Sequence, residues 1–492
     1  MKKNNTLKVL LIAILFTFLL TWILPITYYN SGLYTDVRYP AGLFDIFNYP
    51  TLTLYYFGQM AIYVLAVGAF YGIFNKTGVF RKVCDKIVKL FKGKEIIFFS
   101  VVITLLSVIV AFCGFTYELM FLLPLLASII LLMGYDKLMV AITLIGSIVV
   151  GFMGSIFASN ITGTYMSTLG TTYTDLIWFR VIMLVVGILL LVLNIVLRIK
   201  KENFKKEEDK DLIAEEIELK TKKGKVKANW PAILIFDLVL VMMILGALDF
   251  AGAFNINIFA TFHDKVMSFE IAGYQLFSKI LGSTLQQSSL GAWSTTEFTT
   301  ILILATIVLS IIYRIKVSDI FANYKDGAKK FALSALLMIL AYTVLITTSN
   351  HPVILTILEP LLTITDGFNS VTLSLSMFIA SIFNIDAYYT ASALLPYVMS
   401  VIRDVDLYPL VGFISQTMQG MAMLIAPSSI VLLGVISYLK VSYTEWIKNI
   451  WKLIIMLFLI TFSLFVIILN PTIYVILIAI VINGLVGFLL YK

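Results

Sequence analysis

Long apolar runs separated by short polar stretches are the dominant pattern along the chain. Ten of these runs approach or exceed the roughly 20 residues that a helix needs to cross a bilayer. They are 7–28, 55–74, 138–158, 176–198, 231–254, 294–313, 331–348, 409–436, 453–469 and 472–491. Two further apolar regions, 96–133 and 370–402, carry polar residues near their centres. The pattern predicts an all-α polytopic membrane protein embedded in a lipid bilayer.

The composition excludes several other classes of protein. Of 492 residues, 60% are hydrophobic and 13% are charged, whereas a soluble domain has about 45–50% and about 25%. The mean hydropathy is +0.98. The two cysteines have no ligand-spaced partners and there is no His-Glu-x-x-His motif, which argues against a zinc-dependent membrane enzyme. The chain is therefore not predicted to be a soluble globule, a disordered segment or a disulfide scaffold.

The net charge of +8 is concentrated in four loops rich in Lys and Arg. These loops are 75–95, 199–229, 314–330 and 440–452. Because such loops face the cytoplasm, we expect a multi-pass plasma membrane protein with a cytoplasmic N-terminus. The segments 29–54, 255–275 and 349–369 are poor in Lys and Arg and are predicted to lie outside. Membrane topology accounts for the positive charge, so no nucleic-acid partner is predicted.

One order of elements occurs twice along the chain. Each copy has a span, an amphipathic stretch, an interrupted apolar region, a span rich in small or polar residues, and a final span. The copies cover 55–198 and 331–469, at a nearly constant offset of about 270 residues. Their interrupted regions are 96–133 and 370–402, and their polar spans are 138–164 and 409–436. The order predicts two structural repeats, each with a re-entrant hairpin and a broken helix.

The charge pattern predicts that the two repeats are inverted. The first amphipathic stretch, 79–92, is basic and therefore cytoplasmic, whereas the second, 352–366, belongs to an outer segment. Inverted-topology repeats with broken helices are typical of secondary transporters. The alternative is a plain helix bundle with coincidental spacing. The remaining segments are an N-terminal helix and outer loop (1–54), a cytoplasmic linker (199–229), connecting spans (230–330) and an extra C-terminal helix (470–492).

Four polar breaks interrupt the apolar regions of the two repeats. Unpaired backbone inside a membrane survives only against protein or a wet cavity, so each break is a candidate binding site. The breaks lie at 113–118, 154–164, 384–392 and 416–429. The candidate substrate-binding or ion-binding residues are Gly114, Thr116, Glu118, Ser159, Asn160, Thr162, Asn384, Asp386, Thr390, Ser392, Gln416, Gln419, Pro427, Ser428 and Ser429. We expect the two hairpin tips to meet near the midplane.

These residue types suit a carboxylate-bearing solute and a coupling ion. Half-helix N-termini present free N–H groups to a carboxylate, and freed carbonyls and hydroxyls can bind sodium. Sodium is predicted at Ser159, Asn160 and Thr162, and a coupling proton is the alternative; no other metal or cofactor is predicted. Glu118 and Asp386 are expected to be functional or paired because a charge at the bilayer centre is costly, or else to be protonated and hydrogen-bonded inside the bundle.

Other polar or small residues in and near the spans have weaker interpretations. The roles of Asp237 and Asp249 in the span 231–254 stay open. His351 is predicted to be a solvated turn residue. Gly68 and Gly72 are four residues apart in the span 55–74 and are expected to pack helices.

Several blocks at and between these breaks resemble a known carrier family. The blocks are Asn75–Gly78, Gly114–Glu118 with Pro124 and Gly134–Asp136, Gly282–Thr284 with Leu290–Trp293, Asp326–Ala328 with Ala335–Leu337, and Leu424–Ser429 with Tyr443–Trp446. Their order resembles the YfcC-type carriers, relatives of the anaerobic four-carbon dicarboxylate carriers in the ion transporter superfamily. The resemblance implies an inverted-repeat carrier of dicarboxylates or amino acids, with arginine–ornithine exchange in some members, and superfamily analogy implies a homodimer.

The chain departs from the family pattern at the predicted binding tips. A single acid, Glu118, stands where the family has two, and Asn160 lacks the family's following proline. The second hairpin carries Asp386 and tyrosines instead of a Ser/Gly-rich tip. The two acids, without an Arg or Lys assigned to the midplane, favour a zwitterionic or cationic amino acid over a dianion. A secondary active transporter is the leading hypothesis, and a channel or an intramembrane enzyme is the alternative.

Overall fold

The computed structural model of the chain describes residues 5–36, 38–201, 229–282, 288–365 and 367–491. Nearly all of the predicted linker 199–229, and Ser283 and Thr284 of one family-like block, lie outside these residues. Within the described ranges, ten helices are long and apolar enough to cross a membrane. The polytopic α-helical class is therefore confirmed.

The described residues up to 201 form eight helices and a short β-ribbon. The helices are α1 (Thr6–Ile23), α2 (Asp45–Lys76), α3 (Val79–Leu90), α4 (Glu95–Cys113), α5 (Leu123–Leu132), α6 (Lys137–Met153), α7 (Thr164–Leu169) and α8 (Ile177–Lys200). A 3₁₀ segment, Tyr117–Leu122, precedes α5, and a π-helical turn, Ser159–Gly163, precedes α7. Strands β1 (Thr27–Tyr29) and β2 (Leu33–Thr35) pair antiparallel after α1.

The described residues after 229 form thirteen further helices and a second ribbon. The helices are α9 (Trp230–Ala247), α10 (Phe250–Phe254), α11 (Ile258–Met267), α12 (Leu276–Leu281), α13 (Thr295–Ile312), α14 (Val317–Asn350), α15 (Ile354–Thr363), α16 (Ser370–Phe383), α17 (Ala387–Val401), α18 (Tyr408–Ile425), α19 (Ile430–Tyr438), α20 (Tyr443–Leu469) and α21 (Ile473–Tyr491). A 3₁₀ turn, Val405–Leu407, precedes α18, and β3 (Glu270–Ile271) pairs with β4 (Tyr274–Gln275).

Several helices differ in extent from the predicted spans. The first helix ends at Ile23 because Pro25 follows, so the prediction 7–28 was too long. The span 231–254 was also too long: α9 ends at Ala247, and Asp249 starts α10 by accepting a hydrogen bond from the Gly252 N–H. Helices α2 and α14 begin earlier than their apolar cores, so the boundaries at 54/55 and 330/331 fall inside continuous helices. The hydropathy pattern did not indicate these extensions, because polar residues lie in the first turns of both helices.

Helices α2 to α8 and helices α14 to α20 follow the same order. Each series has a long helix, a shorter helix, a two-armed hairpin, a helix broken into two parts, and a closing span. Corresponding helices of the two series pack together, α2 on α14 and α6 on α18. The second arm of each hairpin also packs on the second part of the other series' broken helix. The opposite orientation of the two series in the membrane stays a prediction.

Glycines let α2 and α14 approach to backbone contact. A Cβ added to Gly72 would lie 2.1 Å from the Asn323 carbonyl oxygen, and one added to Gly68 would lie 2.5 Å from the Gly327 carbonyl oxygen. Conversely, a Cβ on Gly327 would lie 2.2 Å from the Gly68 carbonyl oxygen. These glycines therefore pack helices, as the spacing predicted.

His351 is buried and not solvated, so its prediction was wrong. Its side chain is at the end of α14 and is 3% exposed. One ring nitrogen is 2.7 Å from the Tyr49 hydroxyl and the other is 2.7 Å from the Tyr39 carbonyl oxygen. The loop before α2 folds over the end of α14 and excludes water, a tertiary contact that the local turn sequence does not reveal.

Candidate functional site

Hairpin tip 1, residues 114–116, joins α4 to the 3₁₀ segment. Gly114 has a φ of +70°, and a Cβ there would lie 1.7 Å from the Asn160 side-chain oxygen, so the position requires glycine. The Asn160 Nδ2 donates to the Gly114 carbonyl at 3.1 Å. The Glu118 Oε2 accepts from the Thr116 N–H at 2.8 Å. These bonds fix the tip against the broken helix. The side chain of Glu118, which follows the tip, is buried and 7% exposed.

Helix break 1, residues 154–158, separates α6 from the π-helical turn. Gly154 lies so close to α8 that an added Cβ would be 2.7 Å from the Leu184 backbone nitrogen. Gln416, from α18, donates through its Nε2 to the carbonyls of Phe152, Met153 and Ser155. The backbone groups that the break frees are therefore bonded by a side chain of the other helix series.

Hairpin tip 2, residues 384–386, joins α16 to α17. Asp386 caps α17, since its Oδ1 accepts from the N–H groups of Tyr388 at 3.0 Å and Tyr389 at 3.2 Å. Its Oδ2 accepts from the Tyr342 hydroxyl at 3.4 Å. The Asp386 carboxylate thus already accepts the free N–H groups at the N-terminus of α17. The N–H groups of Tyr388 and Tyr389 are therefore not free to donate to a substrate carboxylate.

Helix break 2, residues 426–429, separates α18 from α19 at Pro427, so the predicted break 416–429 was too long: residues 416–425 are the last turns of α18, whose polar side chains do not interrupt the helix. The Trp446 Nε1 donates to the Leu424 carbonyl at 2.8 Å, and the Tyr443 hydroxyl donates to the Ile425 carbonyl. Ser429 begins α19 by accepting from the Leu432 N–H. Side chains again bond the backbone groups that the break frees.

A cavity of about 570 Å³ lies where the two hairpins and break 1 meet. It is lined by residues of both helix series and of the connecting helices α9 and α13. Five of the predicted residues line it: Thr116, Glu118, Ser159, Asn160 and Asp386. Within the described part of the chain, no Lys, Arg or His lines this cavity. Glu118 and Asp386 are the two carboxyl groups among its described lining residues.

The other ten predicted residues do not line this cavity. Five of them are buried, and their hydrogen bonds hold the hairpin tips and break 1 in place: Gly114, Thr162, Asn384, Gln416 and Gln419. Thr390 donates to the Asn384 carbonyl, Ser429 caps α19, and Ser392 is exposed. Pro427 and Ser428 line a separate apolar cavity of about 350 Å³ beside α1.

The three residues predicted to bind sodium do not lie in one site. Ser159 and Asn160 line the cavity, whereas Thr162 is fully buried behind break 1. The Thr162 hydroxyl is 2.8 Å from the Ser155 hydroxyl and 3.1 Å from the Gln416 Oε1. The adjacent sequence positions are separated because the π-helical turn rotates successive side chains to different sides of the backbone.

Aromatic side chains form much of the cavity wall and were not predicted as site residues. Tyr342 stacks on Phe57 with ring centroids 4.1 Å apart, and the Tyr117 hydroxyl is 2.5 Å from that of Thr295. Trp293 and Tyr56 complete this wall. The helices that carry most of them were apolar spans in the sequence, and nothing local distinguishes a cavity-facing tyrosine from an interfacial one.

A buried arginine lies close to break 1 and was also missed. Arg180, in the first turn of α8, is 2% exposed, and its Nε and Nη1 have no hydrogen-bond partner among the described residues. It is one turn before Leu184, the residue that contacts Gly154 at the break. The sequence placed it at a span end, where an arginine is ordinarily solvated. It does not line the cavity.

Asp237 and Asp249 lie outside the cavity wall. Asp237 is exposed on the surface of α9. Asp249 accepts from the Tyr173 hydroxyl at 3.2 Å as well as capping α10.

Comparisons with known proteins identify similarity over nearly the whole chain. Residues 4–470 match the sequence profile of the DcuC family, described as C4-dicarboxylate anaerobic carriers. No curated protein sequence matches the chain. Among solved structures, the YdaH transporter of Alcanivorax borkumensis is similar, at 14% sequence identity and a TM-score of 0.40, over 94% of this chain and 98% of that one.

Proposed function

This chain belongs to the DcuC family of C4-dicarboxylate anaerobic carriers, and from that premise we propose a secondary active transporter that moves a small carboxylate-bearing solute by alternating access. Membership of a carrier family makes it a multi-pass membrane transporter and not an enzyme. The observation that supports the proposed site is the cavity between the two helix series, with Glu118 and Asp386 in its wall. A plasma membrane location, a cytoplasmic N-terminus and a homodimer are further parts of this proposal.

The cavity wall favours an amino acid over a dicarboxylate as the solute. A dianion would face two carboxyl groups and no basic side chain from the described residues, and like charges in a poorly hydrated site repel strongly. An ammonium group would be attracted to Glu118 and Asp386 and to the faces of the surrounding aromatic rings. The family name favours a dicarboxylate, which would require protonated acids, and it remains the second candidate.

Asp386 supports the amino-acid proposal in a second way. Its Oδ1 is bonded by the start of α17, while among the described residues its Oδ2 has only the long bond from Tyr342. This oxygen can accept a hydrogen bond from a bound ammonium group. Glu118 lines the same cavity, so the proposal extends to solutes with a second cationic group, such as arginine and ornithine.

Counterflow in proteoliposomes tests this function. Vesicles are preloaded with unlabelled arginine, ornithine, aspartate or succinate, and uptake of the matching labelled solute is measured. Substrate on the far side accelerates uptake only when the protein is a carrier. We expect arginine or ornithine to drive counterflow, and succinate to compete weakly. Substitution of Glu118→Gln or Asp386→Asn should lower uptake by about 30-fold or more, because breaking a buried charge pair costs at least about 2 kcal/mol.

The matched control is Asp406→Asn, an exposed acid in the 3₁₀ turn before α18, which should leave uptake unchanged. If Glu118→Gln and Asp386→Asn both retain normal uptake, the assigned site is wrong. If succinate alone drives counterflow, the dicarboxylate candidate replaces the amino acid. Flux that is insensitive to solute on the far side would instead indicate a channel.

A further inference from the structure

The regular hydrogen bonding of α6 ends at break 1, where backbone carbonyls accept from groups outside the helix. Helix α6 stops at Met153, and the regular pattern of bonds to the N–H four residues ahead stops with it: the Gly154 N–H still bonds the Val150 carbonyl, but the Phe152 carbonyl accepts from the Ser155 N–H, only three residues ahead. Inside a membrane bundle such groups must be satisfied by protein, by water or by an ion. In broken transporter helices, freed carbonyls at half-helix C-terminal ends are the groups that coordinate a coupling cation. Break 1 therefore has the chemistry of a cation site.

A side-chain nitrogen stands at the point where these carbonyls converge. The Gln416 Nε2 lies 3.1 Å from each of the carbonyl oxygens of Phe152, Met153 and Ser155. An amide nitrogen has two hydrogens, so three carbonyls share them. Because carbonyl oxygens only accept hydrogen bonds, the amide must present its nitrogen to them, and its Oε1 consequently accepts from Thr162 at 3.1 Å.

Helix break 2 and the 3₁₀ segment after hairpin tip 1 also have backbone carbonyls that accept from neutral side chains. Trp446 and Tyr443 donate to the carbonyls at the end of α18, and the Tyr63 hydroxyl donates to the Glu118 carbonyl at 2.6 Å. Each donor is a neutral side chain from another helix.

We propose that the Gln416 amide nitrogen occupies the place of a coupling cation at break 1, so that the protein holds this break without sodium. Substrate binding and transport are then independent of sodium. The binding part of this inference needs only the geometry of break 1, whereas its consequence for transport rests on the proposed function.

Thermal unfolding of the purified full-length protein tests the binding part. Sodium chloride is compared with potassium and choline chloride at one ionic strength, so that general salt effects cancel. We expect the melting temperatures of the wild type to coincide in the three salts. A saturable rise of the wild-type melting temperature in sodium alone would overturn the proposal, because a bound ion stabilises the folded state by mass action.

The Gln416→Glu variant converts the donor into an acceptor. Its carboxylate oxygen would face three carbonyl oxygens, an arrangement that requires a cation or a proton between them. We expect this variant to unfold at a lower temperature than the wild type in choline, and to regain about 3 °C in saturating sodium or lithium. The matched control is Gln419→Glu, one turn away and equally buried, whose Nε2 donates to a single carbonyl, that of Ile385.

The outcomes separate the inference from the proposed function. A folded Gln416→Glu protein without a sodium-specific shift, or an equal shift in Gln419→Glu, would overturn the inference. If Gln416→Glu does not fold, the wild-type comparison decides alone. Uptake by wild-type proteoliposomes should be unchanged when sodium is replaced by potassium at a fixed proton gradient. Absence of any transport, with sodium-indifferent unfolding, would count against the proposed function and not against the role of Gln416.

Discussion

Substitution of Gly327 by alanine should separate the two helices that hold the halves of the protein together. The added Cβ would lie 2.2 Å from the Gly68 carbonyl oxygen and 3.0 Å from the Gly72 Cα. Both neighbours are backbone atoms of α2, so no side chain can rotate away. Restoring an ordinary contact requires the helices to move apart by about 1 Å, and overpacking of this kind costs about 1–3 kcal/mol.

The change can be measured as a fall in stability and in uptake. We expect Gly327→Ala to lower the melting temperature by about 3 °C or more. Uptake should also fall, because α2 and α14 carry Phe57 and Tyr342 in the cavity wall. The control is Gly484→Ala in α21, where an added Cβ meets no atom within 4 Å. Alanine there should be neutral or stabilising by about 0.5–1 kcal/mol. A Gly327→Ala protein that melts at or above the wild-type temperature would refute the close crossing of α2 and α14.

Three further predictions follow from single contacts. Gly114→Ala should abolish uptake, because its φ is +70° and its Cβ would collide with Asn160; normal transport by this variant would contradict the geometry of tip 1. Tyr342→Phe keeps the ring but removes the bond to Asp386, so the concentration for half-maximal uptake should rise about fivefold, and an unchanged value would show that this bond is unimportant. His351→Phe leaves a buried hydroxyl and a carbonyl unsatisfied and should cost about 2–4 kcal/mol of stability, seen as a lower melting temperature; equal melting of variant and wild type would argue that water reaches this site.

The membrane class and the positions of the polar breaks could be read from the sequence because both are local signals. Apolar runs of spanning length reflect the exclusion of polar groups from hydrocarbon. A glycine, a proline or an acid inside such a run marks backbone that must be satisfied elsewhere. Glu118 and Asp386 stood out for this reason, and both line the cavity. Gly68 and Gly72 were predictable as helix contacts for a related reason, since only small residues permit close helix packing in lipid.

Which polar residue faces the cavity, and which one supports it, was decided by the tertiary structure. Gln416 and Ser159 looked equivalent in the sequence, yet Gln416 bonds the end of α6 while Ser159 lines the wall. Tyr342 and Arg180 had no local signal at all. A spanning helix is apolar on every side, so its sequence does not report its rotation about its own axis. That rotation depends on partners distant in the chain, as when α18 places Gln416 against break 1, and it is set only when the whole bundle packs.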